Sequence, residues 1–392
     1  MTKHETLIMA ENFQEELIEH RRHLHQHPEI GFELPNTISY VEKTLLSMGL
    51  TPQKVGQAGL VVTIGNGNGK TILLRGDMDA LPMEENTDLP FKSTNGFAHT
   101  CGHDIHTTFM LGAAKLLKEK ENDINGTVKI MFQPAEEIGL GARDMIENGL
   151  LENPKVDAAI ALHVTPDLEV GKFGYKPGIA ASSLDGFFLK VQGKGGHSSE
   201  PQNAIDPLMI VNAIYNQMNT LVSKEIDPKE RAVLVIGKMG GGTVANIIPD
   251  TALLEATLRS FKPEVRDHLF NRVQEIIDAT VKMMRGTYEL KTISTPSLYN
   301  NEALCEQVVP FVKEILGEVN LQIDAEPLAG TEDFSYISQQ VPTMFMWAGS
   351  NGLGDNNYPL HNPNIILDEG VLPLGVAVVV HSAISWLHQA NR

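Results

Sequence analysis

From residue 60 to 165 short apolar runs alternate with segments of helical periodicity: Leu60–Ile64, Thr71–Arg75, a helix from Asp104 to Lys120, Val128–Gln133 and Val156–Leu162. Such alternation predicts an α/β sheet. Three of the runs lead directly into polar clusters, namely Gly76-Asp77-Met78-Asp79, Pro134-Ala135-Glu136-Glu137 and His163. Open α/β sheets hold ligands beyond the carboxyl ends of their strands, so convergence of these clusters is the expectation.

A different order occupies 181–294: strand (Phe187–Gln192), helix (Ala204–Val222), two strands (Ala232–Lys238 and Thr251–Arg259), helix (Pro263–Met284) and strand (Thr287–Ile293). This βαββαβ succession predicts a ferredoxin-like unit. Strand–helix alternation resumes after Pro296. The simplest architecture is therefore a mixed-sheet α/β domain made of residues 1–180 and 295–392, interrupted by an inserted domain at 181–294. A chain of 392 residues is long enough for two or three domains.

The helical stretch Glu11–His27 carries apolar Phe13, Leu17, Ile18 and Leu24 and ends before Pro28. Its histidines, His20, His23, His25 and His27, lie beside Arg21 and Arg22 with no cysteine nearby, and they read as a solvated face. The most apolar stretch, Gly370–Ile384, is interrupted by Pro373 and His381. It falls short of the roughly 18 to 20 apolar residues of a membrane span and reads as a buried helix. The amino terminus, Met-Thr-Lys-His-Glu, lacks the apolar core and small-residue cleavage site of a secretory signal, so a cytoplasmic location is expected.

Charge removes some partners. With 31 basic and 49 acidic residues, a net charge of -18 and no basic block, the chain is unsuited to nucleic acid or an anionic membrane. Two cysteines exclude a disulfide framework and fit a reducing compartment. Cys305, among Leu304, Val308, Val309, Phe311 and Val312, reads as a small buried thiol. Cys101 sits differently, in His99-Thr100-Cys101-Gly102-His103-Asp104. A thiolate and an imidazole separated by one glycine can approach one metal or two neighbouring metals. Alone, the segment equally allows a buried cysteine beside a capping Asp104, or a thiol nucleophile activated by His103. Adjacent Glu136 and Glu137 could divide metal binding and proton transfer between them, or form a solvated turn. His163, after an apolar strand, and His361, in a Pro-rich loop, are ambiguous singly. Together Cys101, His103, Glu137, His163 and His361 suit Zn(II), Mn(II), Co(II) or Ni(II), and five ligands suit two ions better than one.

At these residues the chain resembles the aminoacylase and carboxypeptidase family of binuclear metallohydrolases, in particular its amidohydrolase branch of hippurate hydrolases and N-acyl amino acid deacylases. The motifs carrying the resemblance run in order along nearly the whole chain: Arg22 to Glu29, Arg75 to Pro82, His99 to Asp104, Gln133 to Glu137, Leu162-His163, Gly195 to Ser199, Asn246 to Asp250, Gly330 to Phe334 and Leu360-His361. The resemblance implies a catalytic domain with an inserted lid that also dimerises. It implies that Cys101 bridges two divalent ions, that His103, Glu137, His163 and His361 complete their sites, and that Glu136 is the general base for a metal-activated water. Asp79 is expected to orient a ligand. His197 is expected to polarise the substrate carbonyl from the partner subunit, and Asn246, Arg259 and Gly330 to bind substrate. Taken alone, His197 would read as a surface-turn histidine and Arg259 as a solvated strand end. The first motif is Asp77-Met78-Asp79 where the wider family has His-x-Asp, and Cys101 stands where many members have Asp. The amidohydrolase branch shares both departures, which leave Asp77 without an assigned role.

The implied reaction is hydrolysis of an N-acyl amino acid, with an N-acetyl or N-aroyl group, to a carboxylic acid and a free amino acid. A dipeptidase or carboxypeptidase would use the same two-metal chemistry. A Cys101 thiol hydrolase and a metal-dependent binding protein without turnover belong to other classes.

Overall fold

The computed structural model describes residues 2–323, 326–351 and 358–391. The chain divides into two units, one of Met1–Ala180, Tyr299–Glu326 and Asp333–Arg392, the other of Ala181–Leu298 and Pro327–Glu332. The first is built on an eight-stranded mixed sheet, in the order Gln53–Val55, Gly59–Gly65, Thr127–Gln133, Thr71–Asp77, Ala158–Glu169, Thr343–Asn351, Phe173–Tyr175 and Leu321–Ile323. Its four central strands, from Thr127–Gln133 to Thr343–Asn351, are mutually parallel. Every residue of Thr71–Asp77 and Thr127–Gln133 is buried. Burial on both faces explains why these segments are largely continuous apolar runs rather than alternating ones.

Helices His103–Glu119 and Val371–Ala390 pack against each other and against this sheet. The second has the length and hydropathy of a membrane span, but 83% of its most apolar window is buried inside the protein. It is a core helix. Cys305 is likewise buried, within the same apolar cluster.

One strand boundary is corrected. The strand expected to stop at Leu162 runs from Ala158 to Glu169, so His163 lies within it. Its apolar run ends early, but pairing with Thr343–Asn351 continues through Val164 and Thr165. Backbone hydrogen bonds, rather than side-chain hydropathy, extend it.

In the second unit, strands Ala232–Gly241, Thr251–Ser260, Ser183–Gln192 and Thr287–Thr295 form one antiparallel sheet in that order. Helices Pro207–Glu225 and Pro263–Met283 bury Ile210, Ile214, Leu269 and Ile277 in a cluster with Leu189, Leu254 and Leu258. The alternation of Thr251–Ser260 places Leu254 and Leu258 on that side and Leu253 on the other. By register Phe188, Val233, Val235 and Ile293 share the face of Leu253, and all five are at least 40% exposed.

Candidate metal centre

The site lies where the parallel strands end. After Thr127–Gln133 the chain turns at Ala135, whose φ of 55° is unusual for a residue with a Cβ. The turn directs two successive N–H groups at one carboxylate: Glu136 donates to Asp79 Oδ1 at 3.0 Å and Glu137 to Asp79 Oδ2 at 3.2 Å. Asp79, wholly buried, also lies 3.5 Å through Oδ1 from His103 Nδ1. One side chain thus pins both glutamates and stands beside a histidine. Gly102 separates Cys101 from His103 with φ 85°, and a Cβ there would lie 2.3 Å from Val164 Cγ2. Any other residue would be strained at this φ and would have to displace the side chains of Val164 and Leu367. His361 also has positive φ, 65°, and its N–H donates to Thr100 O at 3.0 Å, tying its loop to that of Cys101.

Two groups of potential ligands share one sulfur. Cys101, His103 and His163 form one triplet, and Cys101, Glu137 and His361 form another, each with its ligand atoms within 4.8 Å of one another. Cys101 Sγ is 3.5 Å from His163 Nε2 and 3.2 Å from His361 Nε2. Glu137 reaches His361 Nε2 at 3.5 Å through Oε2 and His103 Nε2 at 3.8 Å through Oε1. Glu136 Oε2 lies 4.0 Å from His103 Nε2. Both His103 nitrogens and Glu137 Oε1 are buried without a hydrogen-bond partner. Such groups are costly unless compensated, and a cation among them would supply the compensation. Thiolate, imidazole and carboxylate together fit a borderline divalent metal.

The surroundings of these groups also set their protonation. Burial pushes the Cys101 thiol well above its usual range, and the charge of Glu137 adds to this. A thiol so held is a poor unaided nucleophile. Burial and the neighbouring His106 keep His163 neutral, with a lone pair to donate. Burial opposes a charge on His103, but Asp77 and Cys101 outweigh it and hold its pKa high. Burial pushes Glu137 up to about 7 against the pull of His103. Loading a metal must therefore expel protons from Cys101 and His103.

In the second unit Gly196–His197 pairs with Ile247–Ile248, and Ser198 N–H donates to Asn246 O at 3.1 Å, so His197 and Asn246 are neighbours. Both are exposed. Ser199 N–H donates to His197 Nδ1 at 3.1 Å, which places the ring proton of the neutral imidazole on Nε2 as an outward donor. Arg259 is elsewhere on this unit, its Nη1 donating to Thr331 Oγ1 at 2.8 Å and Ala329 O at 3.4 Å. Gly330 lies between those partners, its own O accepting from Ser182 N–H at 3.2 Å.

The expected solvated histidine face is corrected at His20, whose side chain is only 12% exposed and whose Nδ1 is 2.7 Å from the Tyr40 hydroxyl, and at His25. His25 is 5% exposed, with Nδ1 2.8 Å from Asp104 Oδ2 and Nε2 3.1 Å from Glu85 Oε2. Arg21, equally hidden, donates through Nε to the same Asp104 oxygen at 2.9 Å. Burial and Arg21 oppose a charge on His25, but its two carboxylate partners prevail and raise its pKa. Burial pushes Asp104 the other way from Arg21 and His25, which nevertheless hold its pKa far below the usual carboxylate range. Asp104 follows His103, so this network braces the helix that carries a candidate ligand. Asp104→Asn is expected to cost about 3–5 kcal/mol, the penalty for breaking a buried ion pair. A group with a depressed folded pKa stabilises above its unfolded value and loses that contribution as pH falls through the folded one. Denaturant titrations should thus show the largest gap between variant and wild type at about pH 4–6, where Asp104 is ionised and His25 protonated. The gap should close below about pH 4 and narrow as pH rises through the raised His25 pKa. A gap under about 1 kcal/mol at about pH 5, the range of a surface pair, would show that the network contributes little.

The model of the Peptidase family M20/M25/M40 matches residues 73–385. The chain is 37% identical over 371 residues to an N-acetyl-L-cysteine deacetylase of Bacillus subtilis (strain 168), covering 92% of this chain and 86% of that protein. It is 36% identical over 394 residues to the IAA-amino acid hydrolase ILR1-like 4 of Arabidopsis thaliana, covering 97% and 88%. The crystal structure of the Bacillus subtilis YXEP protein, described as a dinuclear metal binding peptidase, matches with a TM-score of 0.80 and 32% identity over 96% of this chain and 99% of that one. This chain belongs to the Peptidase family M20/M25/M40, whose metal-dependent hydrolases include peptidases and amidohydrolases.

Proposed function

We propose that the protein cleaves N-acyl amino acids to a carboxylic acid and a free amino acid, using two divalent ions held in the first unit. The observation that carries this reading is the pair of triplets sharing Cys101 Sγ. His103 and His163 would hold one ion and Glu137 and His361 the other, with Cys101 within reach of both. The ions, from among zinc, manganese, cobalt and nickel, would polarise the amide carbonyl and make water a nucleophile at neutral pH. Glu136 takes the proton of the attacking water and returns it to the leaving amine. Asp79 keeps Glu136 and Glu137 in register through their backbone N–H groups. The two relatives, both named for hydrolysis of acylated amino acids, support the substrate class.

The test is exhaustive chelation, reconstitution with each ion, and assay on N-acetyl amino acids, N-benzoyl amino acids and dipeptides. Turnover should vanish and return with metal, and N-acyl substrates should be preferred. Full activity in protein free of metal by elemental analysis would remove the metals from the reaction. A preference for dipeptides would move the reading to a peptidase.

The second unit, with its βαββαβ order and four-stranded sheet, is in this reading a ferredoxin-like lid that joins two chains. Support comes from the exposed apolar face of Phe188, Val233, Val235, Leu253 and Ile293, which a second subunit would cover. His197 then polarises the carbonyl in the partner's site through its Nε2–H, while Asn246, Arg259 and Gly330 contact substrate. Loss of such a donor costs roughly 2.7–4 kcal/mol, about 10² to 10³ in rate. His197→Ala and Glu136→Gln, each inactive alone, should therefore complement when subunits exchange. A mixed dimer has one doubly damaged site and one intact site, and its rate should approach half of normal. Verified exchange without recovery would place His197 in its own subunit's site or outside the reaction.

A further inference from the structure

Behind the candidate ligands is a chain of hydrogen bonds that begins where the sheet splits. The ladder between Thr71–Asp77 and Ala158–Glu169 runs only from Ile72 opposite Ala158 to Arg75 opposite Ala161. Beyond it the Val164 N–H finds no partner on that strand. It donates instead to His106 Nε2 at 2.8 Å. A ring nitrogen that accepts an N–H cannot carry a proton, so the proton of the neutral ring is on Nδ1, 2.6 Å from Asp77 Oδ1. Both nitrogens of His106 are thereby committed. Although Asp77, His103 and His106 lie close enough together to suggest a metal site, His106 has no lone pair left to give.

Asp77 is fixed in turn. Its Oδ2 is 2.6 Å from Arg75 Nη1, and Arg75 Nε donates to Gln133 Oε1 at 2.9 Å. Thr107 Oγ1 donates to Asp77 O at 2.7 Å. Close approach of the helix requires Gly76, since a Cβ there would lie 2.6 Å from His106 O. At the other end of the chain His163 Nδ1 donates to Val164 O at 2.7 Å. This sets the His163 tautomer and leaves its Nε2 lone pair directed at Cys101.

We infer that Asp77 and His106 are positioning residues for His163. Asp77 holds His106 in the Nδ1–H tautomer, His106 Nε2 anchors the backbone N–H that follows His163, and Val164 O orients the His163 ring. The inference rests on the reading of Cys101, His103 and His163 as metal ligands, and it gives Asp77 the role its motif leaves open. Partners behind a ligating histidine typically change metal affinity by 10- to 100-fold.

The test compares His106→Leu with His106→Gln. Glutamine can place Oε1 near the imidazole Nε2 position and accept the Val164 N–H, whereas leucine fills the space without an acceptor. In competition with a chromophoric chelator, His106→Leu should bind Zn(II) or Co(II) roughly 10- to 100-fold more weakly, and its Co(II) spectrum should change. His106→Gln should stay within a few-fold of wild type. Equal losses in both variants, or wild-type affinity in a folded His106→Leu protein, would overturn the inference. A separate readout needs no metal: ¹⁵N NMR of the metal-free wild type should show His106 protonated at Nδ1 and bare at Nε2. The opposite tautomer overturns the relay even if metal binds, and it decides the matter if the leucine variant does not fold. Wild-type protein that takes up no metal would instead refute the metal reading of the site, with the tautomer still measurable.

Discussion

Glu136→Gln should lower kcat by roughly 10² to 10⁴, the usual contribution of a positioned proton-transfer group, while the purified variant retains its full metal content. Glu137→Gln should lose metal as well as activity. The contrast arises from geometry, not from residue type. Both glutamates are pinned by the carboxylate of Asp79, but Glu137 reaches His361 at 3.5 Å and belongs to a triplet with Cys101. Glu136 lies 4.0 Å from His103 and forms a triplet with His103 and Glu137, but it has no place in either triplet that contains the Cys101 sulfur, which leaves it for proton transfer. Glutamine preserves the shape of each side chain and removes the charge, so steady-state kinetics with elemental analysis separates the two roles. Ordinary turnover in Glu136→Gln would show that the base has been misassigned.

The parts of the molecule legible from sequence are those where side-chain pattern and backbone pairing agree. Thr71–Asp77 and Thr127–Gln133 are buried on both faces and read as apolar runs. The four strands of the second unit were recoverable because their core side is continuous with their alternation, as in Thr251–Ser260. Agreement fails beyond Leu162. There the residues turn polar while the strand goes on pairing with Thr343–Asn351, so hydropathy ends the strand too soon. The candidate ligands are legible as residue types that bind metal: Cys101 and His103 sit at the start of a helix and Glu137 beyond a strand, whereas His163 lies within a strand and His361 in a loop. Their supports are not. His25 reads as solvated because local periodicity cannot reveal that Asp104 and Glu85, 79 and 60 residues away, will enclose it. His106 carries one usable signal, its place three residues after His103 on the same helix. That spacing suggests a second ligand. Only the Val164 N–H at its Nε2 shows otherwise.

Cys101→Ala should lose both metal and activity, because one sulfur serves both triplets. Removing the ions takes away several kcal/mol of transition-state stabilisation, a loss of roughly 10³-fold or more at about 1.4 kcal/mol per factor of ten. Alanine alone does not separate a ligand from a nucleophile, since either role ends in an inactive protein. Cys101→Asp does. A carboxylate can bridge two cations, and Asp stands at this position in many proteins of the wider family that the chain resembles. It cannot form the thioester that a thiol hydrolase requires. If Cys101 is a ligand, the Asp variant should recover metal and a measurable fraction of the wild-type rate, with both lost again on chelation. If Cys101 attacks the substrate, Asp should be as inactive as Ala whatever its metal content. The wild-type enzyme should then also be insensitive to chelators and accumulate a covalent acyl group detectable by mass spectrometry. The burial that raises the pKa of this thiol makes the first result the expected one, because an unaided thiol so placed is a poor nucleophile, whereas a dication would draw off its proton.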